Sequence, residues 1–150
     1  MHAILYSIMK WVLDTATLVA AIRSNAGASN RLLAAGLRRE VTLVVSTPLL
    51  LEYEAVMTRP EHLQASGLNE REVGVLLDAV AAVAEPVRLA FLWRPGLRDP
   101  DDDMVLETAV NGGADAIVTF NVSDFLGVAG RFGLKVWRPA TALGELGGRL

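Results

Sequence analysis

The 150-residue chain has no cysteine. That excludes disulfides, thiolate metal sites and a thiol nucleophile. No apolar run reaches the roughly 20 residues needed to cross a bilayer, so no membrane partner is expected. Histidine is scarce: His2 and His62 are the only two, and neither lies where a nucleophile triad would want it. No glycine-rich phosphate loop is present, because Gly112-Gly113 precedes a strand-like run and reads as a helix stop. Repeats, low-complexity tracts and linkers are also missing. Nothing in the opening residues has the layout of a signal peptide, so a reducing cytoplasm is the expected location. Residues 1–9 are expected to form an N-terminal extension with little role, with Met9 just before the first strand.

What remains describes one domain with a real core. Hydrophobic residues make up 52% of the chain, which excludes disorder. The formal net charge of −3 argues against a protein that coats DNA non-specifically. It suits a cluster of metal-holding acids, with arginines elsewhere to grip phosphate. Twelve of the fourteen basic residues are arginine, the better bidentate phosphate partner.

Strand and helix patterns alternate, the signature of a parallel α/β sheet. Residues 10–13 predict a buried strand that stops at Asp14, followed by a helix from about Thr17. A second helix is expected over 29–39 and a second strand over 41–45. Ser46-Thr47-Pro48 opens a helix with a hydroxyl cap and a first-turn proline; it stops near Pro60. Asn69 and Glu72 form a capping-box-like start to a helix that Pro86 ends. A third strand is predicted over 89–93, a helix from the 99–103 acids to Gly112, a strand over 116–119, a last strand over 134–137 and a closing helix over 141–146. The expected fold is a three-layer α/β/α domain around a mostly parallel sheet of four to five strands. Ligands of such sheets bind beyond the carboxyl ends of the strands.

Acids gather at that edge. Asp14 ends the first strand, Glu52 sits in the early turns after the second, and Asp99, Asp101, Asp102 and Asp103 crowd one helix entrance. Thr119, Asn121 and Asp124 follow the strand over 116–119. Taken singly, each has an ordinary explanation: a turn, a solvated helix face, or acids favoured at a helix N-terminus. Taken together, several carboxylates in one pocket repel each other, and a divalent cation removes that cost. All-oxygen donors select Mg²⁺, Mn²⁺ or Ca²⁺ over zinc. A hard cation among such acids can activate water and neutralise a phosphodiester, so the chemistry that fits is phosphodiester hydrolysis.

The joint pattern resembles the PIN-domain family, in particular its toxin-like branch, over residues 11–146. Val12-Leu13-Asp14-Thr15 looks like the family's opening strand and first acid. Ser46-Thr47-Pro48-Leu49-Leu50-Leu51-Glu52-Tyr53 is similar to its second segment. Arg98-Asp99-Pro100-Asp101-Asp102-Asp103 with Leu106-Glu107-Thr108-Ala109 looks like the third. Gly113-Ala114-Asp115-Ala116-Ile117-Val118-Thr119 with Asn121 and Asp124 looks like the fourth. The resemblance implies metal-dependent cleavage of RNA with Mg²⁺ or Mn²⁺, and often a cognate antitoxin protein. It carries catalytic roles onto Asp14, Glu52 and Asp102, and metal-holding roles onto Asp14, Asp102, Asp124 and Asn121. Asp99, Asp103 and Thr119 are additional candidates.

Two positions depart from the family pattern. Ala16 stands where Asn is common, and Phe120-Asn121 where an Asp commonly follows the Val-Thr pair. A weaker site, or one with a single metal, is the expectation. The competing reading is a catalytically weak or inactive PIN-like module that binds RNA or protein. A receiver-type phosphoacceptor would want adjacent acids after the first strand and a lysine ending the last; here Leu13 and Thr15 flank Asp14, and Lys135 lies within its strand. A haloacid-dehalogenase-like phosphatase would want Asp at Ala16. Arg23, Arg31, Arg38 and Arg39 could contact substrate phosphates. The apolar helices, including residues 73–83, could support a homodimer or antitoxin docking, although core packing explains most of those positions.

Overall fold

The structure, a computed structural model, describes residues 8–90 and 100–148. Five parallel strands lie in the order β3-β2-β1-β4-β5. They are β1 (Lys10–Leu13), β2 (Thr42–Ser46), β3 (Glu85–Val87), β4 (Ala116–Val118) and β5 (Lys135–Trp137). Between them run α1 (Thr15–Arg23), α2 (Ala28–Leu37), α3 (Thr47–Met57), α4 (Pro60–Ser66), α5 (Glu70–Val83), α6 (Pro100–Asn111) and α7 (Val122–Ala129), with α8 (Pro139–Gly147) closing the chain.

The three central strands, β2, β1 and β4, are short, apolar and almost wholly buried, as expected of a sheet covered on both faces, while the edge strands β3 and β5 are partly exposed. Trp11, Val12, Leu13, Val44, Val45, Ile117 and Val118 are all at the core. Leu43 and Val44 are consecutive on β2, so they face opposite sides of the sheet. A Cβ on Gly36 of α2 would stand 2.5 Å from Leu43 Cδ1, and one on Gly112, just past α6, 2.6 Å from Val44 Cγ1. The backbone of α2 and the turn after α6 therefore approach the sheet so closely that a Cβ at either glycine would displace the strand side chains, and they do so from opposite faces. This is the expected three-layer arrangement.

Met9 is itself buried, and its carbonyl accepts the Thr42 amide at 2.9 Å. The packed part of the chain thus includes the last residue of the expected extension. On α5, Val73, Leu77 and Val80 turn into the core, while Val75 is exposed. Leu76 packs partly against the core, while Ala79, Ala81 and Ala82 are exposed, so core packing accounts for one face of α5.

Three elements differ from the sequence expectation. The third strand is Glu85–Val87, not residues 89–93. Leu89 and Ala90 are in no strand, and 91–93 lie outside the described residues. Pro86 does not stop the chain from pairing, because β3 is an edge strand with a single partner, β2, and a missing N–H there costs no ladder bond. Helix α4 is not among the expected elements, because Pro60 marks only a stop in the sequence pattern. Proline also opens helices, and Arg59 caps α4 with Pro60 in its first turn before Gly67 ends it at φ 76°. The short helix α7 follows Asn121 in a stretch where no element is expected from the sequence. The other elements lie within a few residues of their expected places, and the Asn69–Glu72 capping box is fully formed.

Candidate active site

β1 has β2 on one side and β4 on the other. The chain winds outward from β1 through β2 to β3, then returns across β1 to β4. The switch in direction therefore falls between β1 and β4, and the carboxyl ends of these strands open into a crevice there. Asp14 follows one of them and Thr119 the other.

Asp14 ends β1 and caps α1 in a single step. Its Oδ1 accepts the Thr17 amide at 2.9 Å and the Thr17 hydroxyl at 2.7 Å. Its Oδ2 accepts a short hydrogen bond from the Thr119 hydroxyl. The Asp14 amide donates to Val118 O at 3.0 Å, so strand pairing continues up to the carboxylate. Thr119 Oγ1 in turn accepts the Asn121 amide at 3.0 Å. Asp14 is only 5% exposed, and no cationic side chain among the described residues pairs with it. Burial raises its pKa above the ordinary carboxylate value, and the bonds from Thr119 and Thr17 oppose that shift without cancelling it.

The helices that bring other acids to this crevice are locked by polar contacts in the core. Ser46 caps α3 by accepting the Leu49 amide, and its hydroxyl lies 2.8 Å from that of Thr108 on α6. Tyr53 is fully buried, and its hydroxyl donates to Leu13 O at 2.5 Å. Burial, and after it the charge of Asp14, push the Tyr53 pKa far up, so the phenol remains a donor. Glu52, its neighbour on α3, is thereby set beside the end of β1.

A cleft of about 300 Å³ gathers these residues. Asp14, Glu52, Asp101, Asp102 and Asn121 line it, with Val19, Val56 and Val105 supplying apolar wall. The three expected catalytic acids, Asp14, Glu52 and Asp102, thus share one cavity. Asn121 and Ala16, the two departures, line the same cavity. Thr119 is buried behind it as a partner of Asp14. Asp103 is buried and does not line the cleft, Asp124 is exposed in the first turn of α7 outside it, and Asp99 lies outside the described residues.

The arginines divide. Arg31 and Arg38 line a different groove, between α2 and α8, where Arg38 pairs with Glu40 at 2.9 Å. Arg23, at the last turn of α1, contacts His62 Nδ1 at 3.3 Å. His62, set aside in the sequence, lines the acidic cleft together with Arg59. The unforeseen helix α4 brings His62 there, and Arg59 stands between α3 and α4. Thr17 was foreseen only as a helix start, yet it makes two of the bonds to Asp14. A hydroxyl three residues after a strand-end acid was its available signal.

The donor set suits a hard divalent cation. Every polar group that the acids offer is an oxygen. Oδ1 of Asp14 already accepts two hydrogen bonds and Oδ2 accepts one, so one lone pair of Oδ2 remains for a ligand. A buried carboxylate with no cationic partner is where an added cation gains most. Among the described residues no three His, Asp or Glu side chains converge tightly enough to enclose an ion by themselves.

Comparison with known proteins agrees with this geometry. The family model for the PIN domain matches residues 10–123, and the chain belongs to the PIN domain family. PIN domains are generally nucleases. No curated protein matches the chain. Among solved structures, the chain is similar in fold to a chain of the crystal structure of VapBC2 from Rickettsia felis bound to a DNA fragment from their promoter. The TM-score is 0.59 at 18% identity, covering 86% of this chain and 99% of that one.

Proposed function

We propose that this chain is a divalent-cation-dependent endoribonuclease and the toxin member of a toxin–antitoxin pair. The carrying observation is the buried, cation-less Asp14 at the switch point of a PIN-domain sheet, in one cleft with Glu52 and Asp102. Asp14 and Asp102 would hold Mg²⁺ or Mn²⁺, with the Asn121 amide oxygen as a neutral donor. When bound, the cation supplies activation of water and charge neutralisation at the scissile phosphodiester.

The chain's own residues do the rest. Thr17 and Thr119 fix the Asp14 carboxylate so that it need not reorganise when substrate arrives. Tyr53 fixes the end of β1 from which Asp14 projects. Glu52, half-buried on the same cleft, is placed to take the proton of the attacking water. Val19, Val56 and Val105 keep part of the wall dry, which strengthens the electrostatics.

The likeness to a chain of the VapBC2 structure supports a cognate antitoxin as partner. Growth arrest on induced expression, relieved by co-expression of the protein encoded beside it, is the expected behaviour. The nuclease itself is tested by incubating purified protein with a mixed RNA pool in Mg²⁺, Mn²⁺ and EDTA, beside Asp14→Asn and Asp102→Asn. Cleavage that needs metal and disappears in both variants is expected.

Ala16 and Asn121 favour a second reading, because both place neutral groups on the cleft wall. On that reading the domain binds RNA or protein without cutting. Divalent metal binding with no cleavage by wild type would select it.

A further inference from the structure

The cleft has a basic end, at Arg59 and His62, that the chemistry above does not use. Glu52, Val56 and Arg59 recur at intervals of four and three along α3 and the residues just past its end. All three line the cleft, so one stripe of the α3 segment forms its side and runs from an acid to a base. Seven residues of helical rise separate the two by about 10 Å. His62 follows Arg59 by three residues, its amide donating to Arg59 O at 2.9 Å, and it lines the cleft as well.

Two features make this wall suited to an anion. First, the Arg59 guanidinium is exposed and has no ion-pair or side-chain hydrogen-bond partner among the described residues, although acids line the same cleft. By contrast, Arg38 is engaged by Glu40. Second, the contact between His62 Nδ1 and Arg23 fixes a tautomer. A guanidinium only donates, so Nδ1 accepts and the ring proton sits on Nε2. His62 therefore keeps a donor free for an anion.

We propose that Arg59, with His62 oriented by Arg23, is the anchor for a backbone phosphate of the RNA strand neighbouring the scissile one. The inference rests on the nuclease reading and names a substrate contact within that site. An acidic cleft repels a polyanion, and a cation at Asp14 offsets this only locally. Arg59 supplies a positive charge on the same wall, about 10 Å along it from Glu52, where it can grip an adjacent phosphate. Its role is in substrate binding, since the reacting atoms lie at the acidic end. Arg23 is a positioning residue that acts through His62.

The test is the cleavage kinetics of a fluorogenic single-stranded RNA in Mg²⁺ over a range of salt. Wild type, Arg59→Ala, Arg59→Lys, His62→Ala, Arg23→Ala and the His62→Ala/Arg23→Ala double variant are compared, each first shown to melt cooperatively. Arg59→Ala is expected to raise KM about 10-fold with kcat within about 2-fold, the loss of one charged hydrogen-bond set. The salt dependence of log KM should fall in slope by about 0.7, one phosphate contact on a single strand. Arg59→Lys should restore most of the slope but less of KM, because the charge remains and the fork is lost. His62→Ala and Arg23→Ala should each raise KM about 3-fold and combine non-additively. A wild type that cleaves while Arg59→Ala keeps its KM and salt slope, or loses kcat alone, would overturn the anchor and leave the nuclease intact. If wild type does not cleave, the nuclease reading fails by itself. Fluorescence anisotropy of a labelled single-stranded RNA in EDTA then decides the anchor: Arg59-dependent, salt-sensitive binding supports it, and absent or Arg59-independent binding overturns it.

Discussion

The two ends of β1 treat charge in opposite ways. At the amino end, Lys10 pairs with Glu85 at 3.1 Å, both side chains about two-fifths exposed, and its amide donates to Asp115 Oδ2 at 2.7 Å. Each charge there has a partner or water. Four residues on, Asp14 is buried with hydrogen bonds and no cation among the described residues. A charge that is satisfied does no more than decorate the sheet. A charge that is ordered but uncompensated is what a metal-dependent site requires.

The contrast can be broken at its costly end first. Asp14→Asn keeps the shape and removes the charge, and RNA cleavage in Mg²⁺ should fall by about 100-fold or more. Cleavage near the wild-type rate would show that the buried carboxylate is only structural. Thr119→Val removes the hydrogen bond that orients Oδ2 and should weaken Mn²⁺ binding by about 10- to 100-fold, read by calorimetric titration.

A smaller effect concerns stability. Folding raises the Asp14 pKa, so the folded chain holds this proton more tightly than the unfolded one. The resulting stabilisation is complete below the ordinary carboxylate pKa and is lost as pH rises through the raised folded value. In EDTA, Asp14→Asn should therefore gain on wild type as pH moves from acidic to neutral. Thermal melts in EDTA should show the Tm difference between variant and wild type moving in the variant's favour between acidic and neutral pH. Mg²⁺ should raise the wild-type Tm and leave the variant's unchanged; a gap that ignores both pH and metal would contradict the account. At the other end of β1, Glu85→Gln should cost about 0.5 kcal/mol or less in denaturant unfolding and leave cleavage unaltered.

The acidic half of the cleft was legible in the sequence because its residues are fixed by local rules. Asp14 ends an apolar strand, Ser46 caps α3, and the run at 101–103 opens a helix. The basic half was not legible. Helix α4 buries no residue fully, so it leaves no apolar period to read. Without α4, nothing linked His62 to Asp14, 48 positions earlier. The placement of Arg31 and Arg38 was equally hidden, since it depends on α2 packing against α8. The strand at 85–87 escaped because its proline is tolerable only at a sheet edge, and edge position is a property of the assembled sheet.

The Thr119 hydroxyl has a consequence for how the site fills. Its oxygen already accepts the Asn121 amide, so its single proton is committed toward Asp14. Both donors from Thr17 occupy Oδ1. An incoming proton and an incoming divalent ion are therefore rivals for the same vacancy on Oδ2. Loading the cation must expel whatever proton is there, which ties occupancy of the cleft to the acidity of its surroundings through one oxygen atom.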